Sequence, residues 1–449
     1  MSQRFEPPPQ PSIVEQVRAT VAGARDPEAE LEEVRRLAER HADLNAIAFA
    51  DWTLAARRAR ALKALDPDAL ARLRLAGVLV SVKDLFQVEG LRLEAGTRAT
   101  LPPLPAESAV AQRLAAAGAI VFAKTNMHEI ALGATGENPF TGDVKNPWDP
   151  SRQAGGSSSG AAVAVACGIG AAGIGSDTGG SVRIPAAFCG IVGFKPSFGA
   201  IPLDGALPLS WTCDHAGPLT RTVADAAVLF EVLSRRATTH AGVPRRPRLG
   251  VPHDWLRGRL EPRVREAFEH DLRRLGGIAE VVAADVPSMP LAWRCYTPIV
   301  RAEAAFVHRD ALAAGARGFS DGVLAPLEAG RQIGAGAYFD AMQGRATFSR
   351  DLDRVLGGID AMLLPSTAIL PPPRGQQDAV VEGGTMSVRE AVLGQTLPFS
   401  FAGVPTLSLP AGFVDGLPRG LQLVGRRDGD ASLLALGGWL EGVLTSAPS

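Results

Sequence analysis

Two runs rich in serine and glycine could supply a nucleophile and its supporting groups. The first is Gly155-Gly156-Ser157-Ser158-Ser159-Gly160, and the second extends from 175 to 185 and contains Thr178-Gly179-Gly180-Ser181. Because glycine lacks a Cβ, successive backbone N–H groups can converge there and stabilise a negative charge beside the Ser181 hydroxyl. The two glycines alone would more simply indicate a turn. The serine, arginine and proline that follow them favour a catalytic loop.

A lysine upstream could serve as the base for such a nucleophile. Lys83 stands in Val80-Ser81-Val82-Lys83-Asp84-Leu85-Phe86, and the apolar, β-branched pattern predicts a buried strand from 77 to 86. Burial can lower a lysine pKa by up to about 3–5 pH units from about 10.4, which would leave a neutral amine near pH 7. The alternative interpretation is a Lys83–Asp84 charge arrangement that holds a surface turn.

Three shorter motifs offer competing interpretations. The G-x-S-x-G pattern around Ser158 would make that residue the nucleophile of a triad that also needs an Asp and a His. The candidates Asp214 and His215 are neighbours in sequence, so on a strand their side chains would point to opposite faces. The G-x-G-x-x-G pattern at 168–173 follows a helix-like run, whereas a dinucleotide site must follow a strand. The segment 118–125 resembles a phosphate loop but has an alanine at the second glycine position. All three interpretations are therefore weak.

Alternating strand and helix patterns must position these residues. A helix is predicted over 109–117 and a strand over 119–123, with further strands over 406–409 and 420–424. Residues 13–75 favour helices, and 250–390 favours mixed helix and loop. The strand–helix–strand alternation predicts an α/β fold with a mixed sheet between layers of helices.

Composition excludes several classes of function. The 449 residues carry a net charge of −1, which favours neither nucleic acid nor a membrane surface. The four cysteines, Cys167, Cys189, Cys213 and Cys295, lack metal-binding or disulfide-scaffold spacing and are predicted to be free thiols. The amino-terminal residues lack a secretory signal pattern, so we expect a cytoplasmic protein. We also expect neither a metal nor an organic cofactor.

Taken in order along the chain, the motifs resemble the amidase signature family. The resemblance extends over roughly residues 65–430, although 240–390 matches only diffusely. The segments that carry it are Lys83-Asp84, Lys124-Thr125-Asn126, Asn146-Pro147-Trp148-Asp149, the two serine runs, Gly193-Phe194-Lys195-Pro196, Gly403-Val404-Pro405, Leu409-Pro410-Ala411-Gly412 and Gly420-Leu421-Gln422.

The resemblance implies roles for individual residues. It makes Ser181 the nucleophile, Lys83 the base, and Ser157 a relay that follows a cis peptide bond. The backbone at Ala131 and at Thr178, Gly179 and Gly180 would line the oxyanion hole and substrate pocket. Residues expected to support these groups are Ser158, Ser159, Asp177 and Arg183.

Four residues near these motifs either depart from the family pattern or have a less direct role. Leu79 stands where the family usually has proline, and Ser400 stands where it commonly has Asn, so Ser400 could change the support of the pocket. Lys124 is interpreted as structural. His128 resembles a variant found in some indoleacetamide and arylamide hydrolases, and it could either lie near the site or be a structural histidine.

The resemblance also sets the expected organisation and activity. Residues 1–12 would be a flexible lead-in, and 13–445 one amidase signature domain, with a core at about 65–235 and 395–430 and a variable substrate-side region at about 240–390. The expected activity is hydrolysis of a linear, non-peptide amide of a small molecule, and the chain could also form a homodimer. The alternatives are a carbamate, urethane or ureide hydrolase, the glutaminase subunit of a tRNA-dependent amidotransferase, and a non-catalytic binding relative.

Overall fold

A computed structural model describes residues 5–238 and 242–445. Several helices begin where a capping side chain satisfies one of their first N–H groups: Ser12 and Glu15 form a capping box, and Ser108 caps the helix that starts at Ala109. The helices are α1 (Ile13–Val21), α2 (Pro27–Arg40), α3 (Trp52–Lys63), α4 (Pro67–Ala71), α5 (Ala109–Ala116), α6 (Ser159–Ala166), α7 (Arg183–Cys189), α8 (Val223–Ser234), α9 (His253–Leu256), α10 (Pro262–Gly276), α11 (Met289–Val307), α12 (Arg309–Ala313), α13 (Asp321–Arg331), α14 (Ala335–Leu356), α15 (Val388–Leu393), α16 (Leu397–Ala402) and α17 (Asp430–Thr445).

Most strands belong to one large mixed sheet. The strands are β1 (Ile47–Ala50), β2 (Leu79–Lys83), β3 (Ile120–Thr125), β4 (Ala172–Asp177), β5 (Val192–Lys195), β6 (His215–Thr220), β7 (Arg248–Val251), β8 (Glu280–Ala283), β9 (Ala361–Pro365), β10 (Asp378–Val381), β11 (Gly384–Ser387), β12 (Thr406–Val414) and β13 (Leu417–Val424). In the described residues the sheet has eleven strands in the order β1-β3-β2-β4-β6-β5-β12-β13-β9-β7-β8, and β10 pairs with β11 separately. A single mixed sheet flanked by helices confirms the predicted α/β fold.

The order of the strands brings the candidate site residues to one edge. Strand β2 lies between β3 and β4 and is parallel to both, with Lys83 opposite Thr125. The carboxyl ends of β2 and β4 therefore meet at one edge of the sheet, where α/β proteins commonly bind ligands. Those ends carry Lys83 and Asp177.

The structure corrects the expectation that 250–390 contains only helix and loop. Strands β8 to β11 and the end of β7 lie there, and β7, β8 and β9 extend the main sheet beyond β13. The segment 13–75 is mostly helical as predicted, but it also contains β1, a four-residue strand at the sheet edge. The run at 168–173 turns from α6 into β4, so it lacks the strand-to-helix context of a dinucleotide site.

The amino-terminal residues that the structure describes lie against the body of the protein. The Phe5 ring contacts the Trp148 ring edge-on at 5.0 Å between centroids, and Gln10 Nε2 donates to the Gly168 carbonyl at 2.7 Å. The flexibility expected of residues 1–12 stays a prediction, and residues 1–4 lie outside the described part of the chain. No helix among the described residues is both long and apolar enough to cross a membrane.

Candidate active site

Lys83 is buried at the end of β2 and contacts two serine hydroxyls. Its Nζ donates to Ser157 Oγ at 2.6 Å and to Ser176 Oγ at 2.8 Å. Burial lowers the pKa of Lys83 from its ordinary value to about 7, although the carboxylates of Asp214 and Asp177 act in the opposite direction. The predicted partner Asp84 is instead bound to Lys124, at 2.8 Å. The surface-turn interpretation of Lys83 is therefore wrong, and the structural interpretation of Lys124 is supported.

The serine run before α6 packs directly against the loop that carries Ser181. The peptide bond between Gly156 and Ser157 is cis, as the resemblance implied. The Ser158 N–H donates to the Ser181 carbonyl at 3.1 Å, while Ser158 Oγ both donates to the Ser176 carbonyl and accepts from the Ser176 N–H. Because its hydroxyl is engaged on both sides, Ser158 fits a supporting role. For Ser159 the supporting role is wrong, since its buried Oγ has no hydrogen-bond partner among the described residues.

The loop from Thr178 to Ser181 offers backbone donors to a cleft. Within 5–238 and 242–445, the N–H groups of Thr178, Gly179, Gly180 and Ser181 donate to no protein acceptor. Gly180 has φ +143°, and a Cβ there would lie 2.1 Å from Thr396 Oγ1, so the loop requires glycine. Such free N–H groups beside a hydroxyl could stabilise an oxyanion.

A buried ion pair fixes the ends of this loop. Arg183 donates from Nε and Nη2 to the two carboxylate oxygens of Asp177, at 3.0 and 2.9 Å. Its remaining donors reach the Thr396 carbonyl and Gln422 Oε1. Burial raises the pKa of Asp177, but the Arg183 charge and hydrogen bonds outweigh this and hold it well below its ordinary value. Ser400, which stands where the family commonly has Asn, donates to Asp177 Oδ1 at 2.7 Å and so belongs to this cluster.

The cleft beside Ser181 is narrow. Its cavity volume is about 80 Å³, below the range of about 300–1,000 Å³ that is typical of ligand sites. Its lining contains four of the predicted site residues, Ala131, Thr178, Gly179 and Ser181. The structure thus brings these four residues to one cleft, whereas Lys83 and Ser157 are fully buried and do not line it. A second cavity shares Ala131 with this cleft and reaches Ser176 and Asp214.

Histidine and aspartate residues near the site form no Ser-His-Asp triad. His215 Nδ1 contacts the Asp177 carbonyl at 3.1 Å, whereas Asp214 accepts from Thr178 Oγ1 at 2.5 Å. His128 Nδ1 lies 3.3 Å from Thr135 Oγ1, and burial, together with the charge of Lys83, lowers its pKa to about 4. His128 therefore lies near Lys83 but is neutral at pH 7.

Sequence reasoning missed three residues that help to form the site. Ser176 is the second hydroxyl partner of Lys83, and alternation along β4 could have suggested it, because neighbouring strand residues face opposite sides. Thr396 Oγ1 donates to the Gly179 carbonyl at 2.7 Å. Tyr296 packs so closely that a Cβ on Gly179 would lie 2.6 Å from its Oη. The latter two lie more than 100 residues away in sequence and give no local signal.

The described residues contain no group of three or more histidine, cysteine, aspartate or glutamate side chains suited to hold a metal ion. All four cysteines are free thiols, as predicted. Burial raises the pKa of Cys189 well above its ordinary value and that of Cys213 to about 11. Their thiols are therefore protonated at neutral pH and are poor nucleophiles.

Comparisons with known proteins match most of the chain. The profile of the family described as Amidase matches residues 31–434. The chain is 35% identical over 405 residues to the A subunit of glutamyl-tRNA(Gln) amidotransferase from Symbiobacterium thermophilum, covering 81% of this chain and 82% of the relative. A crystal structure of an amidase superposes with a TM-score of 0.94 at 49% identity, covering 96% of this chain and 99% of the other. The corresponding amidotransferase protein of Thermotoga maritima superposes with a TM-score of 0.76 at 26% identity, covering 95% and 93%. This chain belongs to the amidase signature family.

Proposed function

We propose that the protein hydrolyses the carbon–nitrogen bond of a small-molecule amide through an acyl-enzyme on Ser181. The observation that carries the proposal is the buried contact between Lys83 Nζ and Ser157 Oγ, in the serine run that packs against the loop of Ser181, which lines the cleft. A lysine with a pKa of about 7 and hydroxyl partners can accept a proton at neutral pH. The serine run links the two parts, because Ser158 binds the Ser181 carbonyl.

The proposed reaction uses these groups in sequence. The Ser181 hydroxyl gives its proton to Ser157, which passes its own proton to neutral Lys83, while Ser181 Oγ attacks the amide carbonyl carbon. The free N–H groups from Thr178 to Ser181 bind the oxyanion that forms. When the carbon–nitrogen bond breaks, the proton returns through Ser157 to the leaving amine. Water then attacks the acyl-enzyme and loses a proton to the relay, which returns it to Ser181 Oγ as the acyl–oxygen bond breaks and the carboxylic acid leaves.

A fluorophosphonate probe combined with a substrate panel tests this proposal. We expect the probe to label Ser181, as located by peptide mass spectrometry, and labelling to disappear in Ser181→Ala but persist in Ser158→Ala. The panel should contain matched amides, esters, carbamates and ureides, because the same residues could cleave each of these bonds. Labelling of Ser158 in place of Ser181 would refute the assignment of the nucleophile.

A second candidate function follows from the curated relatives. Proteins named as the A subunit of glutamyl-tRNA(Gln) amidotransferase are 32–36% identical to this chain. We therefore propose glutamine hydrolysis within an amidotransferase of several subunits as the alternative. Affinity purification of the tagged protein from its own cells separates the two functions. Recovery of two stoichiometric partners that stimulate ammonia release from glutamine would favour the alternative, and an active, partner-free enzyme would favour the first proposal.

A further inference from the structure

Two arginines line the cleft that contains Ser181. Arg301 lies on α11, five residues after Tyr296, and Arg389 lies on α15, four residues before Leu393. Tyr296 and Leu393 are buried and approach Gly179, since a Cβ on that glycine would lie 2.6 Å from Tyr296 Oη and 3.4 Å from Leu393 Cδ2. Arg301 is half-buried and Arg389 is exposed. The arginines therefore form the part of the cleft nearer to solvent.

Neither guanidinium has an ion-pair partner among the residues that the structure describes. Among the described residues, Arg301 and Arg389 donate no side-chain hydrogen bond and make no ion pair, and Arg389 lies over the Trp293 ring, with Cζ 5.5 Å from the centroid. The neighbouring acids are already engaged. Glu390 pairs with Arg259 at 3.1 Å. Glu303 accepts hydrogen bonds from Ser210, Thr212 and Tyr338.

Two cations in one cleft, neither of them ion-paired within the described residues, offer hydrogen-bond donors to a negatively charged group. Partial burial, and then the charge of Arg301, lower the pKa of Arg389, while Tyr296 and Glu390 raise it, so the two guanidinium groups lie within electrostatic range of one another. An anion placed between them would relieve this repulsion, and guanidinium groups suit carboxylates because they donate paired hydrogen bonds. Arg301 lies five residues along α11 from Tyr296, and Arg389 lies four residues along α15 from Leu393; these spacings correspond to about 6–8 Å along the helix axes. The charged group would thus lie several bonds from the carbonyl bound at Gly179.

We infer that the substrate is an amide that carries an anionic group, of which a carboxylate is the best match, bound by Arg301 and Arg389. The inference rests on the proposed function, because it places the reacting carbonyl at Ser181. It narrows the substrate class from small amides in general to monoamides with a distal negative charge. A phosphonate or sulfonate would use the same donors, so the test must distinguish among these groups.

Matched substrates and variants test the inference. The monoamides of succinic, glutaric and adipic acid would be compared with methyl-terminated amides of equal length and with a phosphonate-terminated amide. We expect wild type to favour the carboxylated amide in kcat/KM by at least about tenfold for one spacer length. Arg301→Met and Arg389→Met should each lower kcat/KM for that substrate about 10- to 100-fold and change the methyl-terminated rate by less than about threefold.

Further variants control for charge and folding. Arg294→Met removes another exposed arginine of α11 that does not line the cleft, and it should leave the preference unchanged. Arg301→Lys and Arg389→Lys should retain part of the preference, and thermal melts would confirm that each variant folds. A stronger preference for the phosphonate would support an anion subsite but refute the carboxylate assignment. Equal rates on charged and neutral amides would overturn the subsite.

The outcomes separate this inference from the proposed function. If fluorophosphonate labels Ser181 and neutral amides are hydrolysed as well as charged ones, the subsite is refuted while the amidase proposal stands. If Ser181 is not labelled and no amide is cleaved, the amidase proposal fails. Calorimetric titration with glutarate then decides the subsite directly: binding that weakens at least about tenfold in Arg301→Met supports it, and equal or absent binding refutes it.

Discussion

Acidification should inactivate the protein through protonation of Lys83. The proposed mechanism requires the neutral amine, so kcat/KM should be highest above the Lys83 pKa and should fall as the pH drops below it. The lysine is fully buried, and its Nζ contacts the hydroxyls of Ser157 and Ser176. Among the described residues, no carboxylate oxygen lies within 4.0 Å of that nitrogen to keep it charged. This setting makes a low pKa physically reasonable.

The size of the effect follows from the lowered pKa. Burial brings the pKa of Lys83 to about 7, whereas a lysine in water has a pKa of about 10.4. The difference corresponds to about 5 kcal/mol of disfavoured protonation. With a pKa of about 7, about 10% of the molecules carry the neutral amine at pH 6 and about 1% at pH 5. We therefore expect kcat/KM to fall about tenfold for each pH unit below neutrality.

Variants assign the titration to Lys83. Lys83→Ala should lose the acid limb of the pH–rate profile together with a factor of about 10²–10⁴ in rate. Lys124→Met should retain the limb, because Lys124 is paired with Asp84 and does not contact either serine run in the described residues. Asp214→Asn provides a finer test. The Asp214 carboxylate raises the pKa of Lys83, so removing its charge should move the limb to lower pH.

The assay is the initial rate of hydrolysis from pH 5 to 9 on an amide and an ester of the same acid. The amide should be the more sensitive at low pH, because its amine leaving group also needs the returned proton. The assignment of Lys83 as the base is refuted if Lys83→Ala keeps the wild-type acid limb, or if Lys124→Met loses it. A limb that moves to higher pH in Asp214→Asn would contradict the electrostatic argument while leaving the identity of the base intact.

Four further outcomes are expected. Ser181→Ala should fold normally but trap no acyl-enzyme, and intact-mass spectrometry after substrate quenching measures this. Arg183→Met should lower the free energy of unfolding by about 3–5 kcal/mol in urea titrations, because it leaves the buried Asp177 carboxylate unpaired; a loss below about 1 kcal/mol would argue against a structural ion pair. Gly180→Ala should reduce kcat more than it raises KM, since a Cβ at φ +143° would clash with Thr396 and displace the oxyanion donors. Activity should be unaffected by EDTA, because no cluster of metal-binding side chains lies within 5–238 and 242–445; loss that zinc restores would disprove this.

The parts of the site that were predictable from sequence depend on local pattern. The short apolar, β-branched segment around Lys83 predicts a buried strand over 77–86, and β2 confirms it over Leu79–Lys83. The two serine runs predict a glycine-rich loop at Ser181, and the structure has this loop directly after β4. Such features depend on neighbours a few residues apart, which the sequence displays directly.

The remaining parts depend on contacts between distant segments. Thr396, Ser400 and Gln422 hold the Ser181 loop through Arg183 and Gly179, more than 200 residues away. Strands β7 to β9 were missed because each is only four or five residues long and is separated from the next by helices. The arginines of the cleft were missed for a related reason, because an exposed arginine looks the same in sequence whether it faces bulk solvent or a cleft.

Comparison of the three fully buried lysines explains what makes Lys83 suitable as a base. Lys124 contacts the Asp84 carboxylate, whose charge opposes the lowering of its pKa by burial. Burial lowers the pKa of Lys195 well below its ordinary value, yet its Nζ donates to the carbonyls of Pro196 and Val404. A carbonyl oxygen has no proton to give, so a neutral amine there has nothing to accept. Lys83 contacts hydroxyl groups, which can both accept and donate a proton. A low pKa is therefore necessary but not sufficient for a base: the partner must also carry a transferable proton, and of these three lysines only Lys83 has one.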